Sequence, residues 1–228
     1  ITYLDWIISA WGWTLSVSML GLMIAMVIGV FMGSIRTLPP ESISNRLLTR
    51  LANIWVELFR NIPVLVQVFL WYHVIPALVP VLKGLPSFIL VSLALGFFTS
   101  SRIAEQVRAG IQSLPRGQRY AAMALGLTTG QSYRYVILPM ALRVVVPTLT
   151  SESMNIIKNS SVAFAVSVAE LTLFAMQSQE ETARGIEIYL GVTLLYVISA
   201  LLVNRLMAIV EKKTRVPGLI AASGSAGH

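Results

Sequence analysis

"GQRYAAMALGLTTGQSYRYVILP", residues 117–139, is a polar island in an apolar chain. Its first half reads as a short helix over 118–129, rich in good helix formers, with Pro115 before it and Gly130 after it. Ala121, Ala122, Leu125 and Gly126 stand at helical spacing along one narrow face, where small side chains let another surface come close. Pro139 lacks an amide hydrogen that a first helical turn does not use, so Leu138-Pro139 reads as the start of the next helix. A helix of this kind either docks in a groove of a partner or caps its own bundle.

The surroundings decide where such a helix lives. Of 228 residues, 56% are apolar and 12% charged, and the mean hydropathy is +0.75. That is outside the soluble range and reads as an all-α integral membrane protein. The 17 Lys+Arg exceed the 10 Asp+Glu. Basic loops on one side of a membrane account for the surplus, so no nucleic-acid partner is expected. The absence of Cys excludes disulfides, thiolate metal sites and a Cys nucleophile, and two His leave little for zinc. The chain opens on Ile1, which points to a trimmed upstream segment; residues 1–217 read as one transmembrane domain and 218–228 as a disordered tail.

Charge-free runs locate the spans, since about 20 apolar residues cross the hydrocarbon. Residues 6–35, 61–82, 84–101 and 188–204 are four such runs, and an irregular fifth lies between Arg143 and Glu180, interrupted by Glu152, Lys158 and Glu170. The linker 37–53 reads as a turn in which Pro39-Pro40 bars a continuing helix. Arg36, Arg46, Arg50 and Arg60 follow the first run; Arg102, Arg108, Arg116, Arg119, Arg134 and Arg143 cluster after the third; Arg205, Lys212, Lys213 and Arg215 follow the last. The excess of positive charge places these loops and the C-terminus in the cytoplasm and the N-terminus outside. With both flanks cytoplasmic, the irregular segment makes one net crossing beside 188–204, for five spans. Trp6, Trp11, Trp13 and Trp71-Tyr72-His73 read as interfacial aromatics.

The opening stretch resembles the cytoplasmic signature of ABC-importer permeases: Glu-Ala-Ala, three residues, Gly, nine residues, Ile, one residue, Leu-Pro. Ala121-Ala122, Gly126 and Leu138-Pro139 match, Val136 takes the place of Ile, and Tyr120 stands where the family has Glu. "VELFRNIPVLVQ" (56–67), "RIAEQVRAGIQSLPRGQ" (102–118) and "MNIIKNSS" (154–161) are similar to the polar amino-acid branch of that family. "FTSSRIAEQVR" (98–108), "YRYVILPMALR" (133–143) and "PTLTSESMN" (147–155) are similar to its glutamate/aspartate importers. The resemblance implies a five-span permease with a cytoplasmic coupling helix between the third and fourth spans, within a loop of about 115–139. It also implies a second permease subunit, two cytoplasmic ATPase subunits that bind ATP and magnesium, a periplasmic amino-acid-binding protein and an inner-membrane location among lipid. Arg119, Tyr120, Ala121, Ala122, Leu125, Gly126, Leu138 and Pro139 would then couple to the ATPase. The chain contains no G-x-x-x-x-G-K-[ST] phosphate loop, so no cofactor of its own and no enzymatic activity are expected.

Ionisable groups inside a membrane are costly and point to function. Arg102 and Glu105 are three apart, as are Glu105 and Arg108, and the second pair reads as structural. Arg102 is expected to fork onto the side-chain carboxylate of glutamate or aspartate, or else to snorkel to the cytoplasmic surface. In "SESMNIIKNSS" (151–161), Glu152 would meet the substrate ammonium and Asn155 and Asn159 its carboxylate, with Ser160 and Ser161 lining the same path. The alternative for this run is polar glue between helices, and Lys158 reads as structural. A rival function is an ion-gradient-driven carrier or channel using Glu152, Lys158 and Glu170. Glutamine or basic amino acids are the alternative substrates of the same importer type.

Overall fold

The computed structural model describes residues 3–214, and the expected tail at 218–228 lies outside them. Those residues form no strand but eight main helices and a short 3₁₀ helix at Pro80–Leu82: α1 (Tyr3–Ile35), α2 (Ile43–Asn61), α3 (Val64–Leu78), α4 (Ser87–Ser113), α5 (Arg116–Ala124), α6 (Thr129–Val166), α7 (Leu171–Thr182) and α8 (Gly185–Thr214). The helices α1, α4, α6 and α8 are long and apolar enough to cross a membrane; α2 and α3, bent by 106° at their junction, make a fifth span if counted as one.

α1 and α4 form the spine. The buried side of α1 carries Ala10, Thr14, Val17, Ser18, Gly21, Ala25, Gly29 and Gly33, small residues at three- and four-residue steps. They bring the backbones together, the packing mode that suits helices in lipid. A Cβ on Gly29 would lie 2.6 Å from Ile103 Cγ2, and one on Gly33 would lie 2.7 Å from the Ala104 carbonyl. The other side of α1, with Leu4, Met19, Met23, Val27 and Phe31, is exposed. Ile103, Val107, Val145 and Leu149 bring α6 onto the spine, and Ala10, Leu171, Phe174 and Val192 join α7 and α8 to α1.

Two segments depart from the sequence reading. Residues 43–53, expected as linker, are the first half of α2, whose start is capped by the Ser42 hydroxyl accepting from Ser44 N at 3.2 Å. The run 61–82, expected as one span, breaks at Ile62-Pro63, because a proline disfavours helical backbone in the residue before it. Gln67 closes the corner, donating from Nε2 to the carbonyls of Phe59 (2.8 Å) and Ile62 (3.0 Å).

Pro139 does not start a helix either. α6 already runs from Thr129, opened by a capping box between Thr128 and Gln131, and contains Pro139 within it. Proline removes an amide donor and crowds the carbonyl four residues back. The turn before it widens to a π-helix, Tyr133–Ile137, closed by Leu138 N on Tyr133 O. The same solution occurs in α3, where the π turn Leu70–Val74 closes on Ile75 N and is followed by Pro76.

Candidate functional site: an ion pair between two spans and a helix outside them

The residues singled out in α4 and α6 do meet, in a pairing the sequence spacing did not show. Arg102 donates from Nε to Glu152 Oε2 (2.9 Å) and from Nη2 to Glu152 Oε1 (3.1 Å). Gln106, one turn along α4, donates to Glu152 Oε1 at 3.0 Å. The Glu152 side chain is 4% exposed and that of Arg102 44%. The guanidinium therefore has an open side, with N–H groups left over from the fork. Arg102 therefore braces α4 against α6 and keeps donors to spare.

Asn155 and Asn159 lie three and seven residues beyond Glu152 on the same helix face, both half-buried. Ser160 is fully buried and gives its hydroxyl to Ile157 O (2.6 Å); Ser161 gives its own to Lys158 O (2.8 Å). These two serines serve their own helix, because a 3₁₀ turn starts at Ser160 and leaves carbonyls within their reach. Lys158 is exposed.

Glu105 belongs to a different cluster. It accepts from Arg36 Nη1 at 2.6 Å and from Arg108 Nε at 3.1 Å; Arg36 Nε also reaches Asn53 Oδ1 at 2.6 Å. The structural reading of Glu105 and Arg108 holds, with α1 and α2 tied in as well. Glu170 caps α7, accepting from Thr172 N (2.8 Å), Leu173 N (3.0 Å) and Tyr196 Oη (2.7 Å). Its hydrogen bonds anchor α7 and tie it to Tyr196 of α8, and it shares no partner with Glu152.

α5 is shorter than the expected 118–129, and it ends for a clear reason. Gly126 has φ +76°, with Gly126 N on Met123 O (2.9 Å) and Leu127 N on Ala122 O (3.2 Å), a complete Schellman stop. Gly126 thus ends α5 through its backbone angle, and it is exposed beside Leu125. Ala121 and Ala122 diverge: Ala122 is 1% exposed against the bundle, while Ala121 faces out with Tyr120, Ala124 and Leu125. The free face is broader than expected, with Leu125 79% exposed. Arg119 turns inward on the Ala122 side, and its Nη2 is buried without an acceptor. Tyr133, unremarked in the sequence, pins this region to the end of α1 by donating to Thr37 O at 2.6 Å.

Residues 25–216 match the family of binding-protein-dependent transport system inner membrane components. The chain belongs to that family. This permease is 44% identical over 227 residues to the glutamate/aspartate import permease protein GltJ of Escherichia coli (strain K12), covering 95% of this chain and 90% of the relative. It is 31% identical over 203 residues to the glutamine transport system permease protein GlnP of the same strain, covering 89% and 90%. Among solved structures it is similar to an amino acid ABC transporter crystallised with histidines, at TM-score 0.77 and 29% identity over 92% of this chain and 95% of that one. The methionine transporter MetNI, in an inward-facing form, shares the fold at TM-score 0.79 and 22% identity, over 92% and 97%. The permease is therefore a multi-pass inner-membrane transport component, and α1, α4, α6 and α8 are long and apolar enough to be its spans.

Proposed function

We propose that this permease, paired with a second permease subunit, forms the translocation path for glutamate or aspartate in an ATP-driven importer. The observation that carries the reading is the fork of Arg102 on Glu152, a carboxylate already held by a guanidinium that is still partly open. An acidic side chain entering here exchanges one carboxylate for another, which spares the arginine the cost of standing unpaired. Glu152, released, is placed to take the substrate ammonium, and Asn155 and Asn159 offer amides to the α-carboxylate from the same face. The 44% identity to a glutamate/aspartate permease supports the substrate class.

α5 lies between the third and fourth spans and presents Tyr120, Ala121 and Leu125 outward as the surface for a cytoplasmic ATPase subunit. The ATPases hold ATP and magnesium, a periplasmic binding protein delivers the amino acid, and the N-terminus lies outside with the C-terminus in the cytoplasm. Reconstitution with the copurifying ATPase and binding protein tests this. Glutamate and aspartate should stimulate ATP hydrolysis and ATP-dependent uptake. Stimulation by glutamine or basic amino acids alone would overturn the substrate, and uptake driven by a sodium or proton gradient without ATP would overturn the importer.

A further inference from the structure

Two clefts meet beneath α5, and Arg119 lines both. The first, of about 350 Å³, lies among the end of α1, the end of α4 and the start of α5; Arg36, Gln112, Arg116 and Tyr133 also line it. The second, of about 220 Å³, is lined by Glu41, Thr128, Ser132 and Tyr133 as well. Of the three arginines, Arg36 is paired with Glu105 at 2.6 Å, a carboxylate it shares with Arg108. Arg116 and Arg119 have no ion pair among the described residues. Glu41, at the exposed rim, has none either and does not neutralise Arg119.

Two residues that line the second cleft each carry a buried polar atom without a partner. Arg119 Nη2 has no acceptor, and Ser132, 3% exposed, has a buried hydroxyl with no hydrogen bond. Buried donors left unpaired are expensive, a charged one most of all, and native proteins rarely leave them so. Arg119 and Ser132 both line the second cleft, and the first adds the exposed side chain of Arg116. A ligand that satisfies them must be anionic and must offer several acceptor oxygens. Arg36 is the first charge after the apolar run 6–35, so the first cleft sits where the chain leaves the hydrocarbon.

We propose that these clefts form an oxyanion site beneath α5 in which Arg119 and Ser132 receive a phosphate group, supplied by an anionic lipid headgroup or by free phosphate. A phosphate there ties α5 to the end of α1 alongside the Tyr133–Thr37 bond, so occupancy sets how firmly α5 is seated. The proposal does not depend on which amino acid is carried.

The test is thermal unfolding of the full chain in neutral detergent, titrated separately with inorganic phosphate and with phosphatidylglycerol, phosphatidylcholine serving as the blank. Binding at a hundredfold above Kd should raise the midpoint by about 5 °C or more. A shift with inorganic phosphate assigns the free anion, and a shift with phosphatidylglycerol alone assigns the headgroup; either supports the site. Arg119→Met and Ser132→Ala should shrink the shift at least severalfold. Arg134→Met, which removes the same charge from an exposed side chain outside both clefts, should keep it. No shift with either probe means that water satisfies these groups and overturns the proposal, as does an equal loss in Arg119→Met and Arg134→Met. If Arg119→Met does not fold, Ser132→Ala and Arg119→Lys decide: the first should weaken the shift and the second retain most of it.

Discussion

Arg102 of α4 and Glu152 of α6 are joined by two parallel hydrogen bonds, 2.9 and 3.1 Å long, across fifty residues of sequence. The carboxylate is the buried partner, so removing the arginine strands it with Gln106 alone. Arg102→Ala should lower stability by about 1–3 kcal/mol, the range for a buried group left unpaired and reduced here because the arginine is half open. Arg102→Ala with Glu152→Ala should recover part of that loss. Thermal midpoints of the purified variants measure both, and uptake of acidic amino acids should fail in the single variant even where the protein assembles. Unchanged midpoints would mean that the pair does not hold α4 to α6.

The α1–α4 contact makes a sharper prediction, because the neighbour of Gly33 is backbone. A methyl at Gly33 meets the Ala104 carbonyl at 2.7 Å and Val107 Cβ at 2.7 Å, neither of which can swing away. Gly33→Ala should cost about 1–3 kcal/mol, the usual scale of overpacking. Gly12→Ala and Gly191→Ala, with nothing within 4 Å, should leave the midpoint unchanged or slightly higher.

Gly126→Ala separates strain from contact. Nothing lies within 4 Å of an added methyl, but φ is +76°, and a left-handed backbone costs an L-residue roughly 1–2 kcal/mol. The cost should loosen the end of α5 and cut substrate-stimulated ATPase activity severalfold in the assembled importer. Gly130→Ala, in a helical turn four residues on, should be neutral in the same assay.

At Tyr120 the side chain is exposed and the family signature has Glu. Tyr120→Glu should leave ATPase capture intact or improve it, as read by copurification of the ATPase subunit. Loss of capture would mean that the outward face of α5 is not the docking surface.

Much of the fold was legible because the membrane is read locally: an uncharged run of sufficient length identifies α1, α4 and α8 whatever they pack against. The start of α6 was missed because proline tolerates two placements, the first turn of a helix or the residue after a widened one, and its missing amide is equally at home in both. The break at Pro63 was hidden by a run whose composition stays apolar through the corner. In the site, spacing could show only near neighbours, so Glu105 was visible beside Arg102 while Glu152, its partner on another helix, was not. Tyr133 and Thr37 are 96 apart in sequence, and nothing local marks either. Gly126 was found for its place in the signature, and the reason it is there is its backbone angle.

α6 is continuous for 38 residues, with its π turn near one end. At 1.5 Å per residue, Glu152 stands about 25 Å from Tyr135 at the centre of that turn. A tilt of about ten degrees there would sweep the carboxylate by about 4 Å, farther than the 2.9 Å that now separates it from Arg102 Nε. If the arm stays stiff through Pro147, α6 would act as a crank, turning a modest rotation where α5 meets it into a stroke long enough to unfasten the ion pair.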